Sequence, residues 1–432
     1  MTQQRTIAFS PPDITQAEVD AVTEALRSGW ITTGPRTKRF EERLAAFMGT
    51  PRVAALNSAT AALACALRAL GVGPGDEVIT SAYTYTASAS CICHVGARPV
   101  LCDVAPGSFE MDPELLASLV GPRTRAVIPV DLGGVMVDYD TLDAALRTAQ
   151  KRWRPTSERQ EHLGRVPIVA DAAHSLGAAR HGRASGTVAD LSAVSFHAVK
   201  NLTTAEGGAL TWRAGAFDDE ALYRDLMLMS LHGQTKDALA KTKAGAWEYD
   251  IAFPGWKCNM NELSAALGLA QLDRYPQLLA RRRALVARYE QRLAGSRVQL
   301  LGHYALDDRE AHTPGLLSDD QAAQLRAREA AAPRGHASSG HLLIARVEGL
   351  DVEGRNRLIE SLAAAGVAAN VHYKPLPLLS AYRNLGYRPA DFPHALAMFQ
   401  NEVTLPLHTL LSDDDVDYVC DTLLDLLGSA QS

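Results

Sequence analysis

The stretch "LSAVSFHAVKNLTTAEGGAL", residues 191–210, sets two short apolar runs around a single lysine. Leu191 to Phe196 is rich in apolar and small residues and reads as a buried strand, and Gly207 to Leu210 opens a second one. Lys200 therefore falls in a turn between two core elements. Lysine ordinarily keeps its ammonium in water, and a snorkelling surface residue is the everyday alternative. Held in this turn it is partly desolvated, which lowers its pKa and frees the amine as a nucleophile toward carbonyls. Lys200 is thus a candidate Schiff-base lysine.

Outward from that turn, apolar strand-like runs alternate with amphipathic stretches. "DITQAEVDAVTEALRSG" opens with Thr15 followed by Glu18, carries apolar residues at helical spacing and stops at Gly29. Then come "RVAAL" as a strand, Ala59–Leu70 as a helix, "DEVIT" as a strand, Tyr85–Val95 as a helix, and "RPVLCDV", "RAVIPV" and "VPIVAD" as strands. This βα alternation predicts an α/β protein whose mostly parallel sheet is covered on both faces and binds ligands at the carboxyl ends of its strands.

Beyond residue 260 the pattern changes. "NELSAALGLAQLDRYPQLLARRRALVARYEQRL" reads as long helices broken at Pro276, with Arg281 to Arg283 as a solvated face. Strands at "HLLIARV" and "VAANVHY" and a final helix at "DDDVDYVCDTLLDLL" complete a smaller α+β domain. The expected division is 1–260 for the large domain and 261–432 for the small one, the latter with an exposed polar insertion near 303–340.

A chain of 432 residues has room for two such cores, and 47% hydrophobic with 21% charged residues suits a globular protein. A net charge of -6 gives no reason to expect nucleic acid or an anionic membrane as partner. No apolar run approaches the roughly 20 residues that span a bilayer. "MTQQRTIAFSPPD" lacks an apolar signal region, so the cytoplasm is expected. Six cysteines in so long a chain form no disulfide framework. Cys91, Cys93 and His94 do not match zinc spacings and read as core packing, so no metal is expected.

The strand ends carry the chemistry. "LNSATAAL" places Asn57, Ser58, Ala59 and Thr60 at a helix N-terminus, an anion site that lacks the glycines of a P-loop or dinucleotide fingerprint. "PIVADAAH" ends a hydrophobic strand on Asp171, with His174 three residues later. Asp171 is either a helix cap or, read with Lys200, a buried carboxylate that keeps a pyridine nitrogen protonated. Tyr85 supplies an aromatic face for such a ring, with Tyr83 as its competitor.

In order, "SGWITTGP", "NSATAAL", "GDEVIT", "DAAHSLGA", "FHAVKNLTTAEGG" and "CNMNELSAALGLAQL" resemble the successive motifs of the DegT/StrS sugar-nucleotide aminotransferases, pyridoxal-phosphate enzymes of fold type I. The similarity runs from residue 7 to "HYKPLP" and the last helix. Its "DAAH" and "SFHAVKN" versions are most similar to those of the 4-amino-4-deoxy-L-arabinose pathway aminotransferase and surface-polysaccharide relatives.

The resemblance implies that Lys200 anchors pyridoxal 5'-phosphate covalently, that Asp171 pairs with its ring nitrogen, and that His174 lies at its phenolic oxygen. It implies Ala59, Thr60 and Ser195 around the phosphate and Tyr85 stacked on the ring. Family members are homodimers with shared sites, so Asn259 is expected to reach the phosphate from the neighbouring subunit. Glutamate is the implied amino donor and a nucleotide-linked keto-sugar the acceptor. Thr32, Thr33, His372 and Tyr373 are then expected to meet the sugar, with ordinary loop packing as the alternative. "VDLGGVMVDYD" departs from the commoner version of its loop, and residues 151–165 form a longer segment than in the arabinose-pathway enzyme. A sugar dehydratase of the same fold and a non-turnover cofactor-binding regulator are the rival readings. Known dehydratases of this kind hold histidine at the lysine position.

Overall fold

The computed structural model describes residues 5–235, 248–306 and 334–429, with isolated positions at 320, 324, 327 and 331. Seven strands build the main sheet: β1 (Val53–Leu56), β2 (Glu77–Ser81), β3 (Arg98–Cys102), β4 (Thr124–Ile128), β5 (Val169–Asp171), β6 (Leu191–Ser195) and β7 (Gly208–Trp212). Their order is β3-β2-β4-β5-β6-β7-β1, with β4 joined to β5 by isolated bridges at Val127–Ile168 and Val130–Asp171. Among these described strands only β7 runs against its neighbours.

Side chains leave each strand alternately toward two cores. Val53, Ala55, Ile79, Val127 and Val194 pack into one, and Ala54, Leu56, Val78, Ala126, Ile128, Leu191 and Ala193 into the other. Helices cover both faces, which explains why the strands read as continuous apolar runs. Of these helices, α1 (Gln16–Arg27), α2 (Pro35–Met48), α3 (Ala59–Ala69) and α4 (Ala87–His94) precede the site. The α1 start is closed as expected, with Glu18 accepting from the Thr15 N–H at 2.7 Å.

A single helix, α5 (Glu262–Leu293), runs through Pro276 without a break. The proline removes one backbone bond, but Tyr275, Leu278 and Leu279 are buried around it and hold both halves in line. Its start packs into the first core through Ala265 and Leu272, and its end into a third core through Leu285, Tyr289 and Leu293. The arginine cluster is not a solvated face. Arg282 is buried, donates to the Gly340 and Leu407 carbonyls at 3.0 and 3.1 Å, and is lowered by that burial to about 10.

The third core lies under a small antiparallel sheet of β8 (Val298–Leu300), β9 (Leu343–Val347) and β10 (Glu402–Leu405), with α6 (Val352–Ala364) and α7 (Asp413–Ser429) against it. Ile7 joins this core by bonding to Gly366 and Ala368. The expected strand at "VAANVHY" is instead an extended segment with isolated bridges at Val367 and Asn370. Most of the insertion expected near 303–340 lies outside the described residues. Its flanks, Tyr304–Ala305 and His336–Ala337, pair with each other, and His336 to Gly340 is buried rather than exposed. Within the 151–165 segment, Gln160 is buried and caps the end of α3 by donating to the Leu70 carbonyl at 2.8 Å. Cys91 is a core thiol, whereas Cys93 and His94 are exposed, because the short α4 turns those two away from the sheet. No described helix is long and apolar enough to cross a membrane.

Candidate active site

A cavity of about 340 Å³ opens at the carboxyl ends of β5 and β6, lined by Ala59, Thr60, Tyr85, Asp171, His174, Ser195, Lys200, His372 and Tyr373 among others. Residues far apart in sequence converge there because parallel strands end on the same edge of the sheet. Asp171 is the last residue of β5, and the chain turns after β6 to bring Lys200 alongside it.

At one end, α3 points its N-terminus into the cavity. Ser58 caps it by accepting from the Ala61 N–H at 3.1 Å, while Ala59 and Thr60 line the wall with Ser195. Glycine is required opposite, since a Cβ on Gly208 would overlap the backbone of Ser58 and Ala59. Free amides, a hydroxyl and the helix dipole suit this end of the cavity to an anion such as a phosphate.

In the middle lies Asp171, a buried carboxylate held by the Ser88 hydroxyl at 2.7 Å and the Ala173 N–H at 3.3 Å. Burial raises its pKa, against the opposing pull of these two bonds and of Lys200. Burial likewise lowers Lys200 to about 8, with Asp171 pulling the other way. A buried acid facing a pyridine nitrogen and a lysine poised to lose its proton fit a pyridoxal ring.

The histidines have defined tautomers. The Gly133 N–H donates to His174 Nδ1 at 3.2 Å, so the His174 proton sits on Nε2, 3.2 Å from the Tyr373 hydroxyl. Gly133 belongs to the unusual "VDLGGVMVDYD" loop, which gives that loop a part in the site. Burial first, then Lys200 and His372, keeps His174 neutral by pushing its pKa well down. The His341 ring lies tilted against that of His174, 4.3 Å between centres, and places Nε2 at 3.5 Å from Lys200 Nζ. Its Nδ1 meets Asn201 Oδ1 at 3.0 Å, an orientation set because the Asn201 amide nitrogen donates to the Ser339 carbonyl at 2.9 Å. The proton is therefore on Nδ1, and a lone pair faces the lysine.

Tyr85 is 58% exposed at the cavity mouth, 5.6 Å from the Tyr373 ring. Tyr83 is buried against Phe109 and is core, which leaves Tyr85 as the available aromatic face. Thr32, Thr33 and Asn259 do not line this cavity. Asn259 donates to Thr33 Oγ1 at 2.5 Å, Thr33 donates to the Met260 carbonyl at 2.5 Å, and Thr32 is exposed. Ser88, Asn201, Gly133 and His341 are the site residues that sequence reasoning missed. Among the described residues, the Asp138, Asp140 and His181 cluster has metal-like spacing, but Asp140 is already paired with Arg183 outside this cavity.

Residues 12–424 match the model of the DegT/DnrJ/EryC1/StrS aminotransferase family. The spore coat polysaccharide biosynthesis protein SpsC of Bacillus subtilis is 36% identical over the full length of both chains. The putative sugar aminotransferase Spr1654 of Streptococcus pneumoniae superposes in its PMP-form with a TM-score of 0.89 and 50% identity, over 98% of this chain and 99% of that one. Its PLP-form gives 0.88 and 48% over the same shares. Helicobacter pylori PseC, an aminotransferase of pseudoaminic acid biosynthesis, is 26% identical with a TM-score of 0.80, over 98% of this chain and 100% of that one. With its fold matched end to end and its sheet edge bringing together Lys200, Asp171 and the α3 N-terminus, the chain belongs to the DegT/DnrJ/EryC1/StrS aminotransferases, α/β proteins of fold type I.

Proposed function

We propose that this pyridoxal-phosphate-dependent sugar aminotransferase takes its amino group from glutamate and delivers it to the ketone carbon of a nucleotide-linked sugar, in surface-polysaccharide or amino-sugar biosynthesis. The observation that carries the reading is the convergence of Lys200, Asp171 and the α3 N-terminus on one cavity. SpsC, Spr1654 and PseC, by their names, point to the sugar side of the reaction.

Pyridoxal phosphate supplies, when bound, an aldehyde that exchanges amines and a ring that takes up the electron pair left by proton loss. Lys200 would anchor it, and its amine, with a pKa near 8, would suit both base and acid work. Asp171 would hold a proton on the ring nitrogen. The His174 Nε2 proton, which faces the Tyr373 hydroxyl at 3.2 Å, would be available to the phenolic oxygen, Ala59, Thr60 and Ser195 would hold the phosphate, and Tyr85 would cover the ring. His372 and Tyr373 meet the sugar from within the same cavity.

Thr32, Thr33 and Asn259 serve the cavity of a second copy in a homodimer. Support comes from their position outside their own cavity and from Ile31, Phe253 and Trp256, large apolar side chains left exposed on neighbouring segments. The test is the absorption spectrum of the cofactor-loaded protein before and after glutamate, followed by dTDP-, UDP- and GDP-linked keto-sugars. Conversion to the pyridoxamine form and its reversal by a keto-sugar are expected. No conversion with glutamate would remove the donor, and no reversal with any sugar would remove the acceptor class.

A further inference from the structure

His372 lines the cavity, and its ring lies parallel to Phe9 at 5.5 Å. Behind it stands a hydrogen-bonded chain of Glu402 and Thr404. The buried Glu402 carboxylate accepts the His372 backbone N–H on Oε2 at 3.0 Å and the Thr404 hydroxyl on Oε1 at 2.6 Å. Thr404 Oγ1 is in turn 3.0 Å from His372 Nδ1.

Proton counting orients the chain. A carboxylate only accepts, and a hydroxyl has one proton to give. The Thr404 proton is spent on Glu402, so Thr404 can only accept from His372, and the ring proton must sit on Nδ1. Burial first, and then Lys200, lowers His372 to about 4, so the ring is neutral and Nε2 carries a bare lone pair. Among the described residues Nε2 makes no hydrogen bond.

We infer that Glu402 and Thr404 are positioning residues that lock His372 as a hydrogen-bond acceptor toward the cavity, so that this end of the site selects a substrate group that donates, such as a sugar hydroxyl. The inference rests on the proposed function in taking the occupant to be a sugar. A site built to accept rejects an analogue that lacks the donor, because the bound analogue covers the lone pair and leaves it unpaired.

The polarity depends on the charge of Glu402. Around it lie Arg355 on α6, Arg346 opposite on β9, Tyr83, Tyr373 and His372. Burial pushes its carboxyl up to about 7, so the ionised form prevails in mildly alkaline solution. Glu402→Gln reverses the chain without removing an atom from it. The amide oxygen must stay on the His372 N–H, so the amide nitrogen donates to Thr404. The hydroxyl then turns to donate to Nδ1, and the ring proton moves to Nε2.

The experiment is nitrogen NMR of histidine-labelled holoenzyme at a pH of about 8.5, above the Glu402 range. The His372 signals are assigned by their loss in His372→Gln. Wild type is expected to show a protonated Nδ1 and a bare Nε2, Thr404→Ser to keep that pattern, and Glu402→Gln to exchange it. A wild-type ring protonated on Nε2, or an unchanged pattern in folded Glu402→Gln, overturns the lock. Should Glu402→Gln not fold, Thr404→Val must show a mixture of both tautomers, and a wild-type pattern there overturns it equally. Kinetics use dTDP-4-keto-6-deoxyglucose and UDP-4-keto-6-deoxy-N-acetylglucosamine as probes. For whichever is turned over, KM is expected to rise about tenfold in Glu402→Gln, by more than kcat falls, and to recover in Thr404→Ser relative to Thr404→Val. An unchanged KM with an exchanged tautomer overturns the role in selection. If neither probe reacts, the proposed acceptor class is what fails, and the NMR result still decides the lock.

Discussion

Lys200 Nζ stands 3.5 Å from His341 Nε2, and the far nitrogen of that imidazole is fixed by Asn201. The lone pair so presented accepts a lysine proton when the amine is free. Burial, followed by His174 and Lys200, pushes the His341 pKa well down, so no second positive charge competes with the ammonium. His341→Leu is expected to load cofactor but to lose about tenfold in the single-turnover rate with glutamate, about 1.4 kcal/mol. An unchanged rate would reduce His341 to packing.

The Lys200 amine sets a pH dependence. With a folded pKa of about 8, below the ordinary 10.5, the neutral amine accumulates as pH rises through 8. The rate at which protein stripped of cofactor takes up pyridoxal phosphate covalently should climb with a midpoint there, followed by stopped-flow absorbance. A climb centred near 10.5 would mean that the lysine is solvated like any other.

Asp171→Asn replaces a group proposed to hold a ring proton with one that cannot. Turnover should fall roughly hundredfold or more, about 2.7 kcal/mol of transition-state stabilisation. Near-normal turnover in a fully loaded variant would leave Asp171 a turn-capping residue.

Gly208→Ala tests the proposed phosphate site. The added methyl meets the backbone at Ser58 and Ala59, which must retreat at a cost of about 1–3 kcal/mol and carry the α3 amides with them. Weaker cofactor binding, measured by equilibrium dialysis, is expected with a smaller change in thermal midpoint. Wild-type affinity would place the phosphate elsewhere.

Lys200→Ala and Asn259→Asp, each expected to be inactive alone, test the proposed shared site. In mixed dimers one cavity keeps both residues and the other carries both lesions, so random mixing should restore about a quarter of wild-type activity. Verified heterodimers without activity would return Asn259 to its own subunit.

The sheet and its catalytic edge were legible because apolar periodicity marks strands and their ends mark ligand sites. Lys200, Asp171, His174 and the α3 start all sit within a few residues of such an end. His341 escaped because it precedes an ordinary apolar strand 141 residues from the lysine it touches. Glu402 escaped because one acidic residue at a strand start looks solvated until β9 and α6 close over it. Arg282 and Pro276 misled for a related reason: local chemistry predicts a wet face and a break, and tertiary packing overrides both. Thr33 and Asn259 do not line the cavity of their own chain, and nothing in the local sequence sets them apart from residues that do.

The central claim is tested most directly by borohydride reduction of the cofactor-loaded protein, followed by peptide mapping. A single modified peptide is predicted, spanning the turn after β6 with the pyridoxyl group on Lys200. Label on another lysine, or none in a protein that converts glutamate, would contradict the account.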